Sequence, residues 1–328
     1  NVRTTYGYDG WSQRLTSIYS ARDQGAGNAH QDRHYYYSKA GDIEQIDDRA
    51  WVETYYYSYD KLHRLKSETT STGSPDVIPG IYEMQYNDPD HIHAASSVTT
   101  LGAPHYYDYD ANGNMTDGPD LTDFMAAAQR SLTFNADNMP TRVEHSGGGT
   151  VNITYDGEAR RAKKSGTGGT TYYYSNEFEQ IGATETCYVF AGNLRVAMVK
   201  DYAYDQVKYF HKDHLGSSSV VTDADGEARE QTRYMPFGGK RGQGAGITAS
   251  NYLFTDQELD KESGLYNYDA RLYDPIVGGF ISADTVVPDW FNSQSLNRYT
   301  YCDNNPLMYI DPSGHWAQDP ATGGWVES

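Results

Sequence analysis

One unit returns along this chain, and it restricts the fold more than any other feature. It reads aromatic, any residue, Tyr, Asp, three or four turn-type residues, then Leu or Met. It occurs as "YGYDGWSQRLTS" from Tyr6, "YSYDKLHRLKSE" from Tyr57 and "YDYDANGNMTDG" from Tyr107. Looser copies are "LTFNADNMPTRVEH" from Leu132 and "ITYDGEARRAKK" from Ile153. The spacing is irregular, which excludes a strict short solenoid. Alternation such as Tyr107, Tyr109 sets a ring face against a polar face, the period of a strand. Aspartate follows because its carboxylate accepts backbone amides in a turn. Asn112-Gly113, Asp156-Gly157 and Asp225-Gly226 supply residues that tolerate positive φ. Leu15, Leu65 and Met115 start the return strands and pack back. Tyr8-Asp9, Tyr59-Asp60, Tyr109-Asp110 and Tyr155-Asp156 are therefore strand ends with their turns, Gly113 being one turn glycine. Cross-strand tyrosines are expected to stack.

The fold class that follows is all-β, a ribbon of antiparallel hairpins with few short helices. "DLTDFMAAAQRSLTF" from Asp120 predicts one helix, near 120–130, and "TDQELDKESG" from Thr255 predicts another, over 255–264. Residues 70–80 and 238–246 read as loops, the second a mobile one.

Composition supports an ordered, wet-faced β protein. Only 38% of residues are hydrophobic, but 31 of the 328 are tyrosines, whose rings pack while their hydroxyls stay hydrogen-bonded. The net charge of -19 repels nucleic-acid backbones and anionic membranes, so no nucleic-acid partner is expected. The densest basic cluster, Arg160, Arg161, Lys163 and Lys164, reads as a solvated strand end. No stretch reaches the apolar length of a transmembrane helix. The first residue is Asn1 and no signal peptide is evident, which reads as a piece of a longer chain. Cys187 and Cys302 are two thiols or one bridge, with no disulfide framework.

Cation sites read weakly. "DYDANGNMTDGPD" starts like an EF-hand loop with Asp108, Asp110, Asn112 and Gly113, but Pro119 stands where a bidentate glutamate is needed. "TDADGE" (222–227) has the same ambiguity. In "HKDH", His211 and Asp213 share a strand face while His214 points away, so His214 is expected on a neighbouring turn. No metal and no cofactor is expected.

From about residue 209 the pattern changes. Fixed runs follow: Asp213-His214-Leu215-Gly216, Pro236-Phe237-Gly238, Gly264-Leu265-Tyr266, Arg271-Leu272-Tyr273-Asp274-Pro275, and Asn305-Pro306 through Asp311-Pro312-Ser313-Gly314. These runs resemble the RHS-associated core of RHS/YD-repeat proteins, a family that includes bacterial RHS toxins, the B and C components of insecticidal toxin complexes and, more distantly, teneurins. The resemblance implies YD repeats over 1–208, a core that plugs the shell end over 209–315, and a tail over 316–328. It implies a ribbon spiralling into a partial hollow shell around a toxin payload, in a secreted or cell-surface protein. A hairpin ribbon also needs its edges covered, so upstream segments or other copies are expected partners. "WAQDPATGGWVES" is too short to be a payload: either the payload lies elsewhere or there is none.

The resemblance also implies an aspartyl self-cleavage site after the final Asp-Pro-x-Gly motif. Asp284 and Asp311 occupy the matching places, with the scissile bond near His315-Trp316. Paired carboxylates can divide acid and base roles. Three positions depart from the pattern: Gly279 replaces an arginine, Thr285 a proline and His315 a leucine. Otherwise both aspartates bond turn amides, and the chain is a structural shell segment. The other functions open to it are recognition of a surface protein or glycan, and a self-assembling polymer.

Overall fold

The computed structural model describes every residue except 1, 23–28, 73–82, 101–102, 121–127, 148, 242–249, 287–293 and 326–328. The chain is all-β. Among the described residues there are 26 strands and three single-turn 3-10 helices, with no α-helix. Every strand pairs antiparallel with its neighbour in sequence. A six-stranded sheet runs from Val2–Tyr8 to Leu65–Thr70, and a three-stranded one from Glu83–Gln85 to Ala103–Tyr106. A thirteen-stranded sheet runs from Asp108–Tyr109 to Ala228–Gln231, passing residue 208 inside the strand Val207–Lys212. A four-stranded sheet, Glu258–Asp260 to Gly279–Phe280, follows. The thirteen-stranded sheet does not pair its first strand with its last. The result is an open shell, not a closed barrel.

The repeat turn has one mechanism in all but its first copy, where Asp9 Oδ1 accepts the amides of Trp11 and Ser12 and Gln13 takes the positive φ. Asp110 Oδ1 accepts the amides of Asn112 and Asn114, both at 2.9 Å. Asp60, Asp156 and Asp213 accept the amides two and four residues on in the same way. The residue three beyond the acceptor takes positive φ: His63, Gly113, Asn138, Ala159, Gly216 and Gly226. The turn is thus longer than a two-residue hairpin, and Gly157 is not its left-handed residue; Ala159 is, at φ 60°. A β-bulge falls at the residue just before each turn, between Gly7 and Tyr8, Ser58 and Tyr59, Asp108 and Tyr109, and Thr154 and Tyr155. A bulge re-aims its side chain. Here the re-aimed tyrosine reaches back one hairpin. Tyr37, Tyr59 and Tyr155 donate to the carbonyls of Leu15, Ile43 and Pro140, at 2.8, 2.9 and 2.8 Å. Each acceptor opens the return strand of the preceding hairpin. These four-residue-turn tyrosines therefore bond the previous hairpin and do not stack on one another.

One face of the ribbon is buried, as in Thr150–Tyr155, where Val151 and Ile153 point inward. That face packs on the last quarter of the chain. Leu132, Val143, Val151 and Ile153 meet Leu265, Leu272 and Ile281. Ile18, Tyr35, Ile46 and Tyr55 meet Leu307, and Tyr188, Met198, Phe210 and Val221 meet Tyr252. Burying each such aliphatic side chain contributes about 1.5–3 kcal/mol before entropy is counted. The last quarter has its own aromatic centre of Tyr266, Tyr268, Tyr273, Phe280 and Tyr301. The first sheet also touches the end of the thirteen-stranded one. Thr4 bonds His211 at 2.9 Å and Arg33 bonds Ser219 at 3.2 Å.

Two further expectations are corrected. The helix over 255–264 is absent: Phe254–Asp256 is a single 3-10 turn, and Glu258–Asp260 and Leu265–Asn267 are strands. Strand period puts Glu258 and Asp260 on one face, where both bond Arg161. For the helix near 120–130, residues 121–127 lie outside the described residues, but Met115–Asp120 and Ala128–Phe134 are strands. The basic cluster is not all solvated. Arg160 is exposed, but Arg161 and Lys164 are buried against Glu258 and Asp260. The 70–80 and 238–246 loops fall mostly outside the described residues.

Candidate active site at the end of the core

Asp311 opens a turn of the repeat kind, with Gly314 three residues on at φ 79°. A Cβ on Gly314 would stand 2.5 Å from the Tyr268 carbonyl oxygen, so only glycine fits. The turn is then carried further. Asp311 Oδ1 accepts the amides of Ser313, Gly314, His315 and Trp316, at 3.1, 2.8, 3.1 and 3.2 Å. The peptide bond between His315 and Trp316 is held against this carboxylate.

Asp284 arrives from the segment after Gly279–Phe280. Its amide donates to the Arg298 carbonyl at 2.9 Å, and the Arg298 Nε donates to its carbonyl at 2.5 Å. Arg271 lies between the two aspartates. Its Nη2 is 2.8 Å from Asp284 Oδ2 and 3.9 Å from Asp311 Oδ2. Its Nε donates to the Gly314 carbonyl at 2.5 Å, its Nη1 to the Arg298 carbonyl at 2.9 Å, and its guanidinium lies over Phe280. Asp284 Oδ1 accepts the Val286 amide at 2.8 Å and faces His315 Nδ1 at 2.7 Å.

All three charged groups are buried. Burial, aided by Arg298, brings the Arg271 guanidinium down to about 10 against the pull of both aspartates. Burial raises the Asp311 carboxyl, and Arg271 and the turn amides only partly offset it. A cavity of about 50 Å³, lined by Arg271, Asp284, Asp311, His315 and Trp316, has room for water.

The structure thus brings Asp284 and Asp311 to one guanidinium, beside the 315–316 peptide. Sequence reasoning missed Arg271 as the arginine of this site, having looked for one at Gly279. Gly279 pairs with Asp274, and a Cβ there would come 3.0 Å from the Tyr299 carbonyl oxygen. It also missed that His315, read only as a departure, bonds Asp284. The basic residue inside "ARLYDP" was the available signal.

The other motif residues make contacts within the fold. Asp274 Oδ1 accepts the Ile276 amide at 2.9 Å beside Pro275, and Asp274 pairs with buried Arg130. Tyr273 donates to the Phe237 carbonyl at 2.8 Å. His214 Nε2 lies 3.1 Å from the Leu307 carbonyl oxygen. The Pro312 carbonyl lies 3.4 Å from the Gln257 amide nitrogen. Among the described residues no cluster of His, Cys, Asp or Glu is arranged to hold a metal. Cys187 and Cys302 are free.

Sequential hairpins wrapped on an inward-packed terminal segment define a YD-repeat shell protein. The chain belongs to the teneurin YD-shell family, whose model matches residues 4–307. It is 27% identical to the tRNA3(Ser)-specific nuclease WapA of Bacillus spizizenii, over 63% of this chain and 9% of that protein. It is 24% identical to the toxin subunit YenC1 of Yersinia entomophaga, over 95% of this chain and 40% of that one. Its fold matches the Photorhabdus luminescens Tc holotoxin pore with a TM-score of 0.66 at 19% identity, over 99% of this chain and 19% of that one. The chain spans less than half the length of each.

Proposed function

We propose that this chain is the end of a hollow shell: the hairpins of 1–208 form wall, residues 209–315 close it, and 316–328 lead to an enclosed toxic payload. The observation that carries this reading is the buried ion cluster joining wall to closing segment. Arg161 and Lys164 of the ribbon bond Glu258 and Asp260 at 2.6–3.2 Å, and Tyr173 donates to Glu258 at 2.7 Å. Such a set holds the closing segment at one position on the wall. The nuclease and toxin-subunit relatives supply the payload class, and secretion or surface exposure goes with it. Among the described residues no helix is long and apolar enough to cross a membrane. The partner is upstream chain: Tyr8 is the one YD tyrosine of the first sheet with no described acceptor, and Val2–Tyr8 is a sheet edge. In a polypeptide extended past Ser328 by a payload, residues beyond the core should resist protease while the shell is folded. Rapid digestion there, with the ribbon intact, would overturn the reading.

A second reading, self-cleavage at His315–Trp316, is favoured by the 3.2 Å contact of the Trp316 amide with Asp311. The raised Asp311 carboxyl is suited to protonate the leaving amine. Intact mass should then show a fragment ending at His315, absent in Asp311→Asn.

A further inference from the structure

We infer that His315 is the general base of that cleavage, with Asp284 as its positioning residue. The inference rests on the self-cleavage reading and departs from a base supplied by either aspartate. Neither carboxylate is placed to take a proton from water. Asp284 Oδ1 accepts the Val286 amide and faces the imidazole, and Asp284 Oδ2 is bound to Arg271. Asp311 Oδ1 accepts four amides. Asp284, held this way by an arginine, is a weak proton acceptor, and Asp311, raised by burial, keeps the proton that it gives to the departing amine. The imidazole is different. Its Nδ1 bonds Asp284, which fixes the tautomer with the proton on Nδ1 and leaves a lone pair on Nε2. Nε2 has no described protein partner. His315 lines the 50 Å³ cavity and also a second cavity of about 340 Å³, bounded by Asp137, Glu158, Arg160 and Asp269. Both cavities have room for water beside this residue.

The step balances. Nε2 takes a proton from water as the water oxygen bonds the His315 carbonyl carbon. The C–N bond to Trp316 then breaks, and the Asp311 carboxyl delivers a proton to the departing nitrogen. The products are a carboxylic acid at His315 and an amine at Trp316. The imidazolium returns its proton to Asp311 through solvent.

The charged groups facing His315 are Asp284, Arg271 and Asp311. Arg298 and Asp303 share the first cavity, and Asp137, Glu158, Arg160 and Asp269 the second. The test follows release of Trp316–Ser328 by intact mass from pH 4.5 to 9, for wild type, His315→Leu, His315→Gln and His315→Gly. The pH profile of wild type is expected to differ in shape from that of His315→Gln, since only wild type carries the imidazole. His315→Leu and His315→Gln should be slower by about 10²-fold or more, and added imidazole should restore part of the rate to His315→Gly. A wild type cut at the same bond, with His315→Leu equally fast and following the same pH profile, would overturn the inference and leave the cleavage reading standing. A wild type uncut at every pH would overturn both.

Discussion

At Asp60, Asp110, Asp156 and Asp213 one carboxylate oxygen does the same work, binding the amides two and four residues on. Asp311 is that residue with two more amides, which is how a turn aspartate comes to hold the 315–316 peptide. This much is written locally, so it is legible in sequence. What Arg271 touches is not, because its partners lie up to 43 residues away. A second residue-scale consequence concerns His211. Its Nδ1 faces Thr4 and its Nε2 faces Thr222, at 2.9 and 3.0 Å. Burial, with a smaller push from His30, brings it down to about 4. An unfolded histidine takes its proton near 6.5. Between those values the unfolded chain binds a proton that the folded one does not. Stability from this group is therefore complete above about pH 6.5 and lost as pH falls toward 4, by at most about 3 kcal/mol. Buried His214, also lowered, acts in the same direction. Urea melts at pH 7.5 and 5 should show His211→Gln losing less stability on acidification than wild type. An equal loss in both would remove His211 as the cause.

At the scale of the hairpin, the sequence shows that Tyr-Asp ends a strand but not what the tyrosine does. The bulge turns it out of the alternation, so a strand-period argument aims it at the wrong neighbour. Its bond to the preceding hairpin makes each repeat depend on the one before. Tyr59→Phe should cost about 1 kcal/mol, the worth of one hydrogen bond, while Tyr8→Phe costs nothing in this chain. In a polypeptide that carries the preceding hairpin, Tyr8→Phe should cost the same as Tyr59→Phe. Denaturant melts of the two variants in both lengths decide this, and a Tyr8 cost in the short chain would count against the stapling role. Gly113 tests the turn itself. It has φ 83°, and a Cβ would stand 2.4 Å from the Tyr299 hydroxyl, which donates to the Gly113 carbonyl at 2.8 Å. Gly113→Val should lose about 2 kcal/mol or more, from left-handed strain and the clash together.

For the whole molecule, the repeats predict a ribbon, but how it is closed depends on contacts remote in sequence. Arg161 meets Asp260 across 99 residues, and Asn305 meets Asp42 across 263. A basic run on a predicted strand end and an acidic run on a predicted helix carry no sign that they pair. In the fold they form a balanced set of two cations and two carboxylates, all buried. Burial pushes the Asp260 carboxyl up, but Arg161 and Lys164 outweigh it and hold it below the usual carboxylate range. Removing one cation leaves a buried negative charge uncompensated, which costs about 3–5 kcal/mol. Lys164→Met should therefore destabilise the fold by that amount and expose the closing segment, giving early protease cuts between 250 and 270. Adding Glu258→Gln restores the balance of charge, so the double variant should recover part of the loss and of the protection. The pairwise term read from that cycle tests whether the cluster fastens the closing segment to the wall. If Lys164→Met melts like wild type and is cut no faster at 250–270, the closing segment is held by its other contacts with the wall, among them the apolar ones with Leu132, Val143 and Ile153.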